Sequence, residues 1–194
     1  EELLRLFPEK FEITEHRDYA DYVYRVSDLV NLSGKKYHGK RNHLARFYEN
    51  DWSFEPITPD NVAECLEMNH RWSVENADTK EDGVLAERCA VRLCLTHMEE
   101  LGCFGGLLRV NGAVAAYTVG ERLNSDTVVV HFEKAFSRIQ GAYPAINREF
   151  LSRMCRDYAY VNREEDLGIE GLRRAKESYH PAFLVTKYGV TLAK

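Results

Sequence analysis

The sequence lacks most of the features that announce the commoner chemistries. No apolar run approaches the eighteen or so residues of a spanning helix, so no transmembrane segment is expected. Nothing near Glu1-Glu2-Leu3-Leu4 resembles a charged head followed by an apolar signal core, so no secretory leader is expected either. The five cysteines, Cys65, Cys89, Cys94, Cys103 and Cys155, are odd in number and include no C-x-x-C pair. That pattern argues against a zinc ribbon or a disulfide framework and fits a reducing, cytoplasmic compartment. The G-x-S-x-G elbow, the Walker loop and H-E-x-x-H are all missing. His38 and His43 do not have the i,i+4 spacing of a helical metal pair, and no metal is assigned. Positive charge is also in deficit, with 26 Lys and Arg against 31 Asp and Glu, which argues against general nucleic-acid affinity.

What is present is a globular composition, 44% apolar and 29% charged over 194 residues, the length of one domain with part of another. The net charge of −5 is unevenly spread, because "KKYHGKRNHLARF" carries Lys35, Lys36, Lys40, Arg41 and Arg46 without a carboxylate. This stretch is either a solubilising helix or a local anion site.

Periodicity divides the chain into elements. A strand is expected around Tyr22 to Val26, with Ser27 capping a short apolar piece through Leu32 that Gly34 ends, and the basic stretch continuing as a helix to about Asn50. The two prolines of "DWSFEPITPDN" mark a boundary near Glu55 to Thr58. Beyond it, Thr58 caps a helix that has Pro59 at its first position and carries Val62, Cys65, Leu66 and Trp72, and a second runs from about Lys80 to Leu101. Asn111-Gly112 is a strong hairpin signal between "CFGGLLRV" and "AVAAYTVGERL". In the third strand, "DTVVVHFEKAF", alternation puts Val129, His131 and Glu133 on one face. A helix from Pro144 buries Ile146, Phe150, Met154 and Tyr158, "AYVN" is a short strand, and Asp166 caps a helix from Gly168 to Ser178 whose inner face is Leu172, Ala175 and Tyr179. "AFLVTKYGVTL" closes as one strand or a broken pair.

The glycine turn "EKAFSRIQGAYPAINREF" is where unpaired amides and a helix dipole can hold an anion, although a glycine there is often purely conformational. Glu133 lies on the strand that leads into it, placed to act as a base or to grip an ammonium, or simply to pair with Lys134 or Arg138.

Two helices, three antiparallel strands, a glycine turn into a helix, a strand, a helix and a closing strand resemble the GNAT acyltransferase fold, an α/β (α+β) class with a mixed, mostly antiparallel sheet flanked by helices. The family turn, R/Q-x-x-G-x-G/A, is matched by Arg138-Ile139-Gln140-Gly141-Ala142-Tyr143, with bulky Tyr143 in place of the second small residue. "GKKYHGKRNHLARF", "HFEKAFSRIQGAYPAINREFL" and "VNREEDLGIEGLRRAKESYHP" together resemble the bacterial family related to the phosphatidylglycerol lysyltransferase C-terminal domain, built from two GNAT-like halves. The resemblance implies that residues 1–55 are the tail of a first half and 56–194 a complete second half. It implies an acyl- or aminoacyltransferase taking its donor from aminoacyl-tRNA or acyl-coenzyme A, Tyr143 favouring the first, with no tightly bound cofactor and an unidentified acceptor. A binding module that keeps the fold and the anion site without transfer is the alternative. It further assigns Tyr179 as the acid for the leaving group, beside Glu133, and Arg138, Gly141, Ala142, Tyr143, Asn147, Asn162, Arg173 and Lys176 as donor contacts. Each has a plainer reading: Tyr179 as a packed aromatic, Asn162 as a loop cap, Arg173 and Lys176 as a solvated face.

Overall fold

The computed structural model describes residues 2–76 and 81–193. In chain order its elements are α1 (Glu2–Leu6), β1 (Phe11–Arg25), α2 (Val26–Asn31), a 3-10 turn (Lys35–Tyr37), α3 (His38–Phe47), β2 (Trp52–Pro56), α4 (Val62–Glu75) and α5 (Glu81–Thr96). They continue with β3 (Cys103–Val110), β4 (Ala113–Arg122), β5 (Thr127–Ala135), α6 (Ala142–Met154), β6 (Tyr160–Asn162), α7 (Glu170–Glu177) and β7 (Phe183–Leu192). Packing divides the chain into a larger unit, Arg25–Val161, and a smaller one made of Glu1–Tyr24 and Asn162–Lys194.

In the larger unit the strands lie in the order β2-β3-β4-β5-β6, and β2/β3, β3/β4 and β4/β5 are antiparallel. Asn111 (φ 51°) and Gly112 (φ 79°) both take positive φ, the requirement of the tight hairpin expected there. Neighbouring strand residues fall into different core clusters. Leu108 and Ala116 pack with Leu44, Phe47 and Ile146 of α3 and α6, whereas Leu107 and Tyr117 pack with Cys65, Met68 and Val91 of α4 and α5. The sheet therefore carries helices on both faces, each fully buried large apolar side chain contributing about 2 kcal/mol. The mixed α/β class with a mostly antiparallel sheet flanked by helices is thus the observed one.

Several boundaries differ from the sequence reading. The proline-containing segment holds a strand that the sequence reading did not place: Trp52–Pro56 pairs with β3 from Val110 to Gly106, and its Pro56 is tolerated because it stands at the strand end. Helix α4 starts at Val62 behind Asn61, whose Oδ1 accepts the Thr58 N–H at 2.8 Å, so Thr58 is not its cap. Ser27 lies inside α2, and that helix stops at Leu32 in the left-handed region, ahead of Gly34. The α5 start expected near Lys80 falls outside the described residues; its last turn ends at Thr96, short of Leu101. Pro144 is the third residue of α6, not the first; Met154 is only half-buried, and Tyr158 lies beyond the helix.

In the smaller unit β1 is much longer than expected and pairs antiparallel with β7, which is one strand. The polar run from Glu12 to His16 hid its first half, because that part of the ribbon is exposed and need not alternate. Helix α7 is turned relative to expectation: Arg173 and Lys176 are half-buried, while Leu172 (37% exposed) and Ala175 face outward. The reason is Asp166, a fully buried carboxylate that requires cations around it.

Candidate functional site

The candidate residues fall in both units. In the larger one, β5 ends beside the turn into α6. A register shift in the β4/β5 ladder, between the pairs Val119–Phe132 and Gly120–Val130, places His131 at a bulge, which breaks the alternation that would align His131 with Glu133. His131 Nε2 lies 3.3 Å from Glu121 instead. Glu133 is half-buried, and the almost fully buried Asn147 of α6 donates from Nδ2 to its Oε2 at 3.1 Å. The sequence proposed Asn147 as a donor contact; the structure makes it a partner of Glu133, fourteen positions away, a pairing no local pattern reveals.

Next along β5, buried Lys134 reaches Glu87 at 2.5 Å and places its ammonium 3.9 Å from the Trp72 ring centre. Trp72 Nε1 donates to the Tyr143 hydroxyl at 3.2 Å, and burial raises the Tyr143 pKa against that hydrogen bond. Tyr143 is therefore anchored among α4 side chains. Arg138 is ion-paired with Glu75 and stacks 3.9 Å from the Phe136 ring centre. Gly141 has φ 80°, and a Cβ there would lie 2.1 Å from the His43 carbonyl oxygen of α3, so chain packing alone already demands glycine. The Ala142 amide donates to the Ile139 carbonyl at 3.1 Å. Cys155, at the end of α6, is fully buried and its thiol is pushed up to about 12, which makes it a poor nucleophile.

The basic stretch divides by role. Lys35 and Lys36 are exposed on the 3-10 turn, with Lys36 4.9 Å from the Tyr37 ring centre, and Lys40 lies on α3. Arg41 instead donates to the carbonyls of Leu32 and Gly34 at 2.6 and 2.7 Å, tying the end of α2 to α3.

In the smaller unit, Asp166 is not the cap of α7, whose cap position is Ile169. Its carboxylate accepts both Arg173 Nε (2.7 Å) and Nη2 (2.8 Å), the Tyr22 hydroxyl (2.5 Å) and the Gly168 amide (2.9 Å). Arg173, chiefly, holds its pKa far below the carboxylate range. Arg173 also bonds Asp18 at 2.6 Å. Asn162 caps its own loop, Oδ1 accepting the Glu164 amide at 2.7 Å while Nδ2 donates to Asp21 at 3.0 Å. Lys176 Nζ donates to the Arg163 carbonyl. Tyr179 is buried, edge-on to Tyr24 at 6.5 Å, with the Arg163 guanidinium 5.1 Å from its ring centre.

Comparison with known proteins gives this geometry a context. Residues 1–191 match the family model described as phosphatidylglycerol lysyltransferase, C-terminal. A conserved protein of unknown function from Bacteroides thetaiotaomicron superposes with a TM-score of 0.93 at 47% identity, over 100% of this chain and 66% of that one. L-PGS from Bacillus licheniformis superposes at 0.66 with 16% identity, over 100% of this chain and 64% of its own. A tandem GNAT protein from the clavulanic acid biosynthesis pathway gives 0.50 at 10% identity, over 94% and 56%. An uncharacterised protein of Mycoplasmoides gallisepticum is 21% identical over 89% of this chain, which spans 56% of that relative's length. The last two structural likenesses show the fold, which is GNAT-like.

Proposed function

The chain belongs to the phosphatidylglycerol lysyltransferase C-terminal family, and from that premise we propose that it is an acyl- or aminoacyltransferase working by direct transfer. The supporting observation is Glu133 at the end of β5, held by the buried Asn147 amide beside the turn into α6. In this reading the acceptor's amine or hydroxyl attacks the donor carbonyl, its proton passes to the Glu133 carboxylate, and the carbonyl to leaving-group bond breaks. Tyr179 is proposed as the acid that protonates the departing thiolate or ribose oxygen. Arg138, Gly141, Ala142, Tyr143, Asn147, Asn162, Arg173 and Lys176 are carried forward as donor contacts, and Lys35, Lys36, Lys40 and Arg41 as contacts to tRNA. The donor is aminoacyl-tRNA or acyl-coenzyme A, the acceptor a lipid, peptide or small amine, and the compartment the cytoplasm. Residues 1–55 as the tail of a first GNAT-like half and 56–194 as a complete second half belong to the same proposal.

The alternative is a non-catalytic binding module that keeps the GNAT-like fold and the anion site; at that turn the Ala142 amide and the Arg138 guanidinium have partners within the chain. A transfer assay with a mixture of charged tRNAs, and separately with acetyl-coenzyme A, across lipid, peptide and amine acceptors decides between the two. Transfer from either donor supports the enzyme, and its absence from both supports the module.

A further inference from the structure

Away from Glu133, the larger unit contains a cavity of about 510 Å³, within the range that holds small ligands. Its wall comes from the end of β1, one side of α2 and the loop between α6 and β6. Arg25 and Arg156 both line it, and no carboxylate does. Arg25 lies over the Tyr160 ring at 5.5 Å, and Arg156 donates from Nε to the Ser152 carbonyl. Among the described residues neither guanidinium has a carboxylate partner. The nearest acids in sequence, Asp28 and Asp157, are not part of the wall.

The rest of the lining adds two chemistries. Ser27 and Asn31 offer a hydroxyl and an amide, and Val26, Val30 and Tyr158 supply an apolar side with one aromatic ring. The wall is fixed in place: the Val26 amide donates to the Ala159 carbonyl at 3.0 Å, and Arg148 Nε holds the Val30 carbonyl at 3.0 Å. Two guanidiniums on one cavity suit a phosphate, since the planar fork matches phosphate oxygens and a charge-assisted bond is stronger than a neutral one. An apolar and aromatic side next to them suits a flat organic group.

We infer that this cavity is a binding site for a phosphomonoester of nucleotide size, its phosphate held by Arg25 and Arg156 and its base against Val30 and Tyr158. The inference does not depend on the transferase reading.

Calorimetric titration with AMP and with inorganic phosphate, on the whole chain, tests it. AMP is expected to bind with a dissociation constant below about 1 mM and at least about tenfold tighter than phosphate, with affinity falling as salt rises. R25Q and R156Q should each weaken AMP by about tenfold while keeping the circular dichroism spectrum. R138Q, at the proposed donor turn, should leave AMP binding unchanged. Absence of AMP binding, phosphate binding as tightly as AMP, affinity indifferent to salt, or loss of binding in R138Q but not in R25Q or R156Q would each overturn the proposal. The wild-type salt titration keeps the test decisive should a variant fail to fold.

Discussion

Glu133 and Asp166 are both carboxylates at strand exits, and their surroundings teach opposite lessons. Asp166 is fully buried and saturated by a bidentate guanidinium, a phenol and a backbone amide, an arrangement that fixes a loop and spends the whole carboxylate on it. Glu133 is half-buried, partnered by the neutral Asn147 amide, and set where a strand gives way to a helix. A saturated, strongly acidic carboxylate cannot accept a proton near neutral pH. This is the physical ground for treating Asp166 as structural, and Glu133 is the proposed proton acceptor.

The contrast can be sharpened by substitution. The largest loss of stability is expected for D166N, which leaves Arg173 facing a neutral amide: about 3 kcal/mol in urea unfolding. Because folding depresses the Asp166 pKa, its contribution is complete above the ordinary carboxylate value of about 4 and is lost as pH falls below it. Wild-type stability should therefore decline on acidification through that window more steeply than D166N; parallel pH profiles would contradict the assignment. G141A comes next, at about 2 kcal/mol, because its Cβ meets the His43 carbonyl and its backbone is left-handed. An unperturbed melting temperature in that variant would contradict both causes. R138Q breaks only a part-exposed pair with Glu75 and should cost less than about 0.5 kcal/mol by the same unfolding assay.

Legibility in the sequence followed the range of the interactions involved. Asn111-Gly112, the β5 run and the helices around Cys65 and Ile146 were readable because each depends on local turn chemistry or on a single buried face. β2 was missed because Pro56 reads as a breaker, although at a strand end it costs no ladder bond. The orientation of α7 was misread because its apolar stripe outweighed its arginines on paper, whereas buried Asp166 outweighs the stripe in the fold. The place of Glu133 on the strand leading to the glycine turn was legible. Its partner Asn147 and the Lys134, Trp72 and Tyr143 cluster were not, since they join elements that only the fold brings together.

The central claim is that Glu133 moves a proton during group transfer. Its most direct test is single-turnover transfer by wild type and E133Q at saturating donor, with donor affinity measured in parallel. The account predicts that E133Q slows transfer by about a hundredfold or more while donor affinity changes by less than about twofold. Transfer at the wild-type rate in E133Q would contradict it.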